Sequence, residues 1–247
     1  ATAIGALTTK AIEGYAAQEQ LVGGVETLFK TSSDTVVGYA NDAYKTAGMS
    51  ANEYMETVTS FSASLLASMN NDTAAAAEKA NVAITDMSDN ANKMGTDISL
   101  IQNAYNGFAK QNYTMLDNLK LGYGGTKEEM QRLLDDASKL SGIKYDISSY
   151  SDVVDAIHVV QTEMGITGTT AKEASTTIEG SVSSMSSAWD NWVAGMADSE
   201  ANFSQLTSNL VDSIVTVVGN IAPRVIETVP RLVSGLGEIV EQLATYI

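Results

Sequence analysis

The sequence predicts an all-α protein, and three observations carry that expectation. No proline occurs in residues 1–222, and the only two, Pro223 and Pro230, lie close together near the C-terminus. A proline inside a helix costs roughly 3 kcal/mol, so so long a proline-free stretch, rich in Ala, Ser, Thr, Asn, Glu and Met, reads as mostly helix. Ser50 with Glu53, Thr126 with Glu129 and Thr170 with Glu173 have the three-residue spacing of a capping box. Apolar residues near the C-terminus recur four and three residues apart, the spacing of a heptad seam.

These signals place helices near 3–30, 33–47, 51–69, 73–94, 97–119, 127–141, 150–164, 170–197 and 203–245. Asn70, Asn71 and Asp72 read as a turn that ends with Asp72 as the next N-cap. Gly142 and Gly165 read as C-terminal stops. Helix, tight turn, helix between about 50 and 145 suggests hairpins. Residues 165–187, GITGTTAKEASTTIEGSVSSMSS, are dense in Thr, Ser and Gly, and read as a weakly packed helix or linker and the main boundary. Four segments follow: 1–49, N-terminal helices; 50–145, a hairpin domain; 146–200, a helix with the Ser/Thr/Gly-rich linker; and 201–247, an amphipathic heptad helix. The 44% hydrophobic fraction leans on Ala and aromatics are only 6%, which suits elongated hairpins or a bundle packed through small residues.

Thirty acidic against fourteen basic residues leave a formal charge of −16. Stable nucleic-acid binding is not expected, because contact with phosphates needs clustered Lys and Arg. The basic residues from Lys79 to Lys144 are interleaved with acids, and none occurs from Glu173 to Pro223. Cysteine is absent, which excludes disulfides and thiolate sites. The chain opens with Ala1 rather than Met, so it is expected to be processed or part of something longer. No uninterrupted run of 18 apolar residues marks a membrane span.

The C-terminal seam comprises Val211, Val215, Val218, Ala222, Val225, Val229, Leu232, Leu236, Ile239 and Leu243, with Ile226, Val233, Val240 and Ile247 alongside. At about 1.5–3 kcal/mol for each large residue, burying this seam is worth roughly 14–27 kcal/mol as an upper bound. It calls for a partner: another helix of the chain, its own copies, or a bilayer surface. Trp189 and Trp192, the only tryptophans, fall three apart on one helical face and read as a packing anchor.

No constellation of catalytic residues emerges, so an enzyme is not expected, nor any cofactor or metal. The block LGYGGTK at 121–127 invites a phosphate-loop reading, but Thr126 precedes Lys127 where the loop needs it after, and a helix precedes where a strand should. Asp86, Asp89, Asn90, Asn92 and Asp97 miss the alternating ligands of a calcium loop, since the third position from Asp89 is Ala91 and the fifth from Asn90 is Met94, and they read as polar helix surface. His158 is the only histidine, a poor start for a zinc site.

Several blocks resemble the tail tape measure proteins of long-tailed, siphovirus-type bacteriophages. They are MSDNANKMGTD at 87–97 and IQNAYNGFAKQNYTMLDNLKLGYGGTK at 101–127, with GMSANEYM at 48–55, FSASLL at 61–66, and AWDNW at 188–192 followed by Gly195 and Met196. The resemblance covers roughly 35–200. It implies a helical virion protein without catalysis, lying in the tail tube lumen or tip. Such proteins template tail length and assist genome ejection. The partners implied are its own copies, three or six, the tail tube and tail tip proteins, and the host membrane at ejection. Whole members are usually much longer, so the resemblance implies that this chain is a segment. Two other readings compete: a membrane-active channel component for DNA ejection, and a helical stalk or secretion-filament protein with no phage link.

Overall fold

In the computed structural model the chain is all-α, and no strand occurs among the described residues. The structure describes residues 2–244, with side chains described for 4–228, 230, 231 and 234. The helices are α1 (Thr2–Phe29), α2 (Ser33–Thr46), α3 (Ala51–Ser68), α4 (Thr73–Met94), α5 (Ile98–Phe108), α6 (Lys127–Ser141), α7 (Tyr150–Glu163), α8 (Thr169–Thr176), α9 (Ile178–Gly195) and α10 (Phe203–Ala244). Short 3₁₀ turns occupy Lys30–Ser32 and Leu116–Leu119.

The local signals act as the sequence predicts at most helix ends. Ser50 and Glu53 form both halves of a capping box at α3. The Asp72 carboxylate accepts from the amides of Ala74 and Ala75 at the start of α4. Thr126 accepts from the Glu129 amide and starts α6, while Gly142, left-handed, ends it. Thr170 is not the cap expected of it: it lies inside α8, whose N-cap is Gly168.

Two expected helices are broken. The helix expected over 97–119 stops at Phe108 and resumes only as the 3₁₀ turn. Buried residues on α5 run Ile101, Ala104, Tyr105, Phe108, but the next are Tyr113, Leu116 and Leu119. A straight helix would instead aim Gln111 or Asn112 at the core. The chain therefore turns back at a left-handed Gln111, and Tyr113 lies with its ring 6.0 Å from that of Phe108. The helix expected over 170–197 is interrupted at Thr177, which is extended and whose hydroxyl accepts from the Gly180 amide to start α9.

Buried side chains from Val25 to Ile166 form one continuous core, which crosses the divisions expected at 49/50 and 145/146. Its axis is α4, which packs against α1, α2, α3, α5, α7 and α8. Ala76, Ala77, Ala80, Ala83, Ile84 and Met87 are all buried. Alanines let six neighbouring helices approach one rod closely, where larger side chains would hold them off. A second, smaller cluster joins Tyr44, Ala188 and Leu210, with Met185 and Trp192 against it. There α10 lies on α9. The Ser-rich segment expected to be weakly packed supplies this seat: Ser181, Ser184 and Ser187 are buried in α9.

Candidate functional site

The long C-terminal helix α10 has two apolar edges, and only one is covered. Leu210, Ser213 and Val217 are buried, with Leu206 and Asn220 partly so. This edge faces α9, and polar bonds pin it at both ends. The Trp192 indole donates to the Thr207 hydroxyl at 3.0 Å, and the Asn220 amide donates to the Thr177 carbonyl at 3.0 Å.

The predicted seam is the other edge. Val211, Val215, Val218 and Val225 are 50–64% exposed, and Ile214 and Ile226 are exposed beside them. The seam lies one residue on from the stripe that packs, which on a helix is a rotation of about 100°. So the described half of the seam is not shielded by another helix of this chain. Ala222 is partly buried, and Val229, Leu232, Leu236, Ile239 and Leu243 lie outside the described side chains. Both prolines are accommodated within α10. Residues Phe203–Thr228 are long and apolar enough to cross a membrane, with 17% of their most apolar window buried. Looking for an uninterrupted apolar run misses this stretch, because its Val, Ile and Leu are dispersed among Ser, Thr and Asn.

Trp189 and Trp192 share a face as expected, with ring centroids 5.3 Å apart. Trp192 continues into a stack on Phe203 at 5.5 Å. Of the pair, Trp192 contributes to the packing of α10 on α9, whereas Trp189 is exposed.

Of the polar residues expected at the surface, Asn92 and Asp97 are exposed, whereas Asp86, Asp89 and Asn90 on α4 are not. Asp86, Asp89 and Asn90 are almost fully buried. Asp86 lies 2.9 Å from His158 Nδ1 on α7. Burial pushes the Asp86 carboxyl up, while the bond to His158 opposes that rise. The same bond holds the His158 imidazole above its ordinary value, against the opposing effect of burial. Asp89 accepts from the amides of Gly168 and Thr170. The Asn90 amide donates to the Leu119 carbonyl at 3.0 Å and to Gln161 at 2.7 Å. These side chains tie α4 to α7, α8 and the 3₁₀ turn. A signal for this was present: Ala76, Ala80, Ala83, Met87 and Asn90 fall on one stripe of α4, so Asn90 continues the core edge.

The glycine block at 121–127 is closed by side chains of α6. Glu129 accepts from the Gly124 amide at 3.0 Å, the place a phosphate would take. Arg132 donates to the Gly122 carbonyl at 2.8 Å and to Glu129, and its guanidinium lies over the Tyr123 ring. Among the described residues no group of three or more Asp, Glu, His or Cys is placed to hold a metal ion.

No protein-family model, no characterised protein sequence and no solved structure matches this chain.

Proposed function

We propose that this chain is a structural protein that assembles through the outer edge of α10, as a segment of a phage tail tape measure protein. The observation that carries assembly is the row Val211, Ile214, Val215, Val218, Val225 and Ile226, exposed along one side of a single helix. Contiguous apolar surface of this kind marks an interaction site, since a monomer gains by covering it. The tail assignment rests on the resemblance of residues 87–97 and 101–127. A 42-residue helix is about 60 Å long, and a rod joined to its own copies suits a protein that templates tail length. The charge of −16 suits a lumen through which DNA later passes without adhering.

Sedimentation of the full chain tests the assembly. The expected result is an oligomer of three or six copies that falls to monomers in Val215→Asp/Val218→Asp. A monomer in both proteins overturns the proposal. Imaging of tails with density for this chain inside the tube or at the tip tests the location.

A second reading, a membrane-active ejection component, is favoured by Phe203–Thr228, whose length and composition suffice for a span. Flotation of the full chain with anionic vesicles, lost in the same double variant, supports it. Failure to float with either neutral or anionic vesicles removes it.

A further inference from the structure

The helix that seats α10 carries an apolar stripe of its own. Ile178, Val182, Met185, Trp189, Trp192 and Met196 follow one another at steps of four and three residues along α9 and its end. Met185 and Trp192 pack against the small cluster under α10, whereas Ile178, Val182, Trp189 and Met196 are exposed. On α10, Thr207 heads the row Val211, Ile214, Val218 and Val225, at steps of four, three, four and seven. The bond from Trp192 to Thr207 therefore brings the two rows side by side on one face of the pair. With Asn220 bound to Thr177 at the far end, the two helices run antiparallel.

Between the rows runs a groove about as long as α9, whose 18 residues span roughly 27 Å. Exposure rises away from it across the edge of α10, from 43% at Ile214 to 72% at Ile226. Ile214 and Val218 thus form a wall of the groove, and Val215 and Ile226 form a ridge beyond it. Gly219 and Ala222 fall between those two on the same line of the helix, so the ridge has a notch at its middle. The notch is open: a Cβ added at Gly219 would meet nothing within 4 Å.

Ridge and groove match in size. Val215 and Ile226 are eleven residues apart, about 17 Å along the helix, with the notch halfway. Trp189 lies halfway between Val182 and Met196, seven residues from each, and those two are about 21 Å apart. Seating a Trp189 ring in the notch therefore lays Val215 and Ile226 close to Val182 and Met196. Glu179 and Asp190 on α9 and Asp212 on α10 fall off both rows, so no charge interrupts the apolar contact. An exposed tryptophan received by small residues has the form of an interface anchor. We infer that the groove holds the α10 ridge of a second copy, with Trp189 of one copy in the Gly219–Ala222 notch of the next. Groove and ridge are different surfaces, so the contact runs head to tail, the kind that builds rings. The inference rests on assembly through α10 and adds α9 to the interface.

Sedimentation of the full chain, with tryptophan emission followed on dilution, tests it. The parent should associate, and its emission should move to longer wavelength as dissociation exposes Trp189. Trp189→Ala should associate about thirtyfold more weakly, as for the loss of an interface anchor. Gly219→Leu should associate about tenfold more weakly although it adds apolar surface, because it fills the notch. As a monomer it should melt no lower than the parent, since leucine suits a helix interior better than glycine. Where each variant alone is monomeric, an equimolar mixture should form one-to-one pairs, because one groove and one ridge remain unaltered. Association of Trp189→Ala at parental strength, unchanged or tighter association of Gly219→Leu, a mixture that does not pair, or parental dissociation without an emission shift each overturns the inference. Any of these leaves assembly through α10 standing, whereas a parent that is monomeric at every concentration removes both.

Discussion

Asp89 of α4 accepts the backbone amide of Thr170 at 2.8 Å, and so caps a helix that begins 80 residues further along the chain. The N-cap position of α8 is Gly168, left-handed and without a capping side chain; the carboxylate that serves it comes from the core. A negative charge at a helix N-terminus is favourable, and more so out of water. Asp89→Ala should therefore lower stability by about 2–3 kcal/mol, combining a lost cap with amides left unpaired. Asp89→Asn keeps one acceptor oxygen and should lose less. Urea denaturation measures the loss, and hydrogen exchange at Thr170 should quicken ahead of the rest.

The pair His158–Asp86 makes stability depend on pH in one direction. Asp86 and Asp89 from α4, with Asp155 on α7, surround the imidazole with negative charge, while Lys79 pairs with Asp155. The folded chain holds the His158 proton more tightly than the unfolded chain, whose value is near 6.5. Its stabilisation is therefore complete below pH 6.5 and is lost as pH rises through the raised folded value. Melting temperature should fall as pH rises above 6.5, and His158→Gln should flatten that slope. His158 is the only histidine, so a slope that persists in the variant would refute the assignment.

Gly180 allows the close turn from α8 into α9. A Cβ there would lie 2.4 Å from the Glu173 carbonyl oxygen and 2.5 Å from its carbon, both backbone atoms that cannot rotate away. Gly180→Ala should cost about 1–3 kcal/mol through forced backbone movement. The change should also disturb Asn220, which binds the Thr177 carbonyl at this junction. Chemical denaturation followed by tryptophan emission would register both.

The two edges of α10 should respond oppositely to substitution. Leu210→Ala removes a buried side chain between α9 and α10 and should destabilise by about 2–4 kcal/mol, at the low end where the site can relax. Val218→Asp, on the open edge, should change the stability of the monomer by no more than about 0.5 kcal/mol. Thermal melting distinguishes the two. If Val218→Asp unfolds the chain, the outer edge is packed internally after all.

How far these features were legible can be argued residue by residue. The turn at 70–72, the caps at Ser50, Asp72 and Thr126 and the stop at Gly142 could all be read directly, because each depends on residues at most four apart. The break after Phe108 was also readable in principle, since the apolar period slips from Phe108 to Tyr113. Reading 97–119 as one helix missed that slip. The burial of Asp86 and Asp89 was harder, because aspartate on a helix is usually solvated and its partners lie 72 to 81 residues away.

The seam of α10 divides the two kinds of information most clearly. Its spacing is a property of one helix, so the run of Val, Leu and Ile at heptad positions follows from the amino acids alone, as do helical content, charge and the absence of thiols. Which edge lies on α9 depended on shape: buried serines in α9, a Trp192 indole within reach of Thr207, and Tyr44 arriving from α2. Those groups come together only when segments distant in the chain are packed. Local hydrogen bonding decided where the helices start and stop, and three-dimensional packing decided which surfaces remain open to a partner.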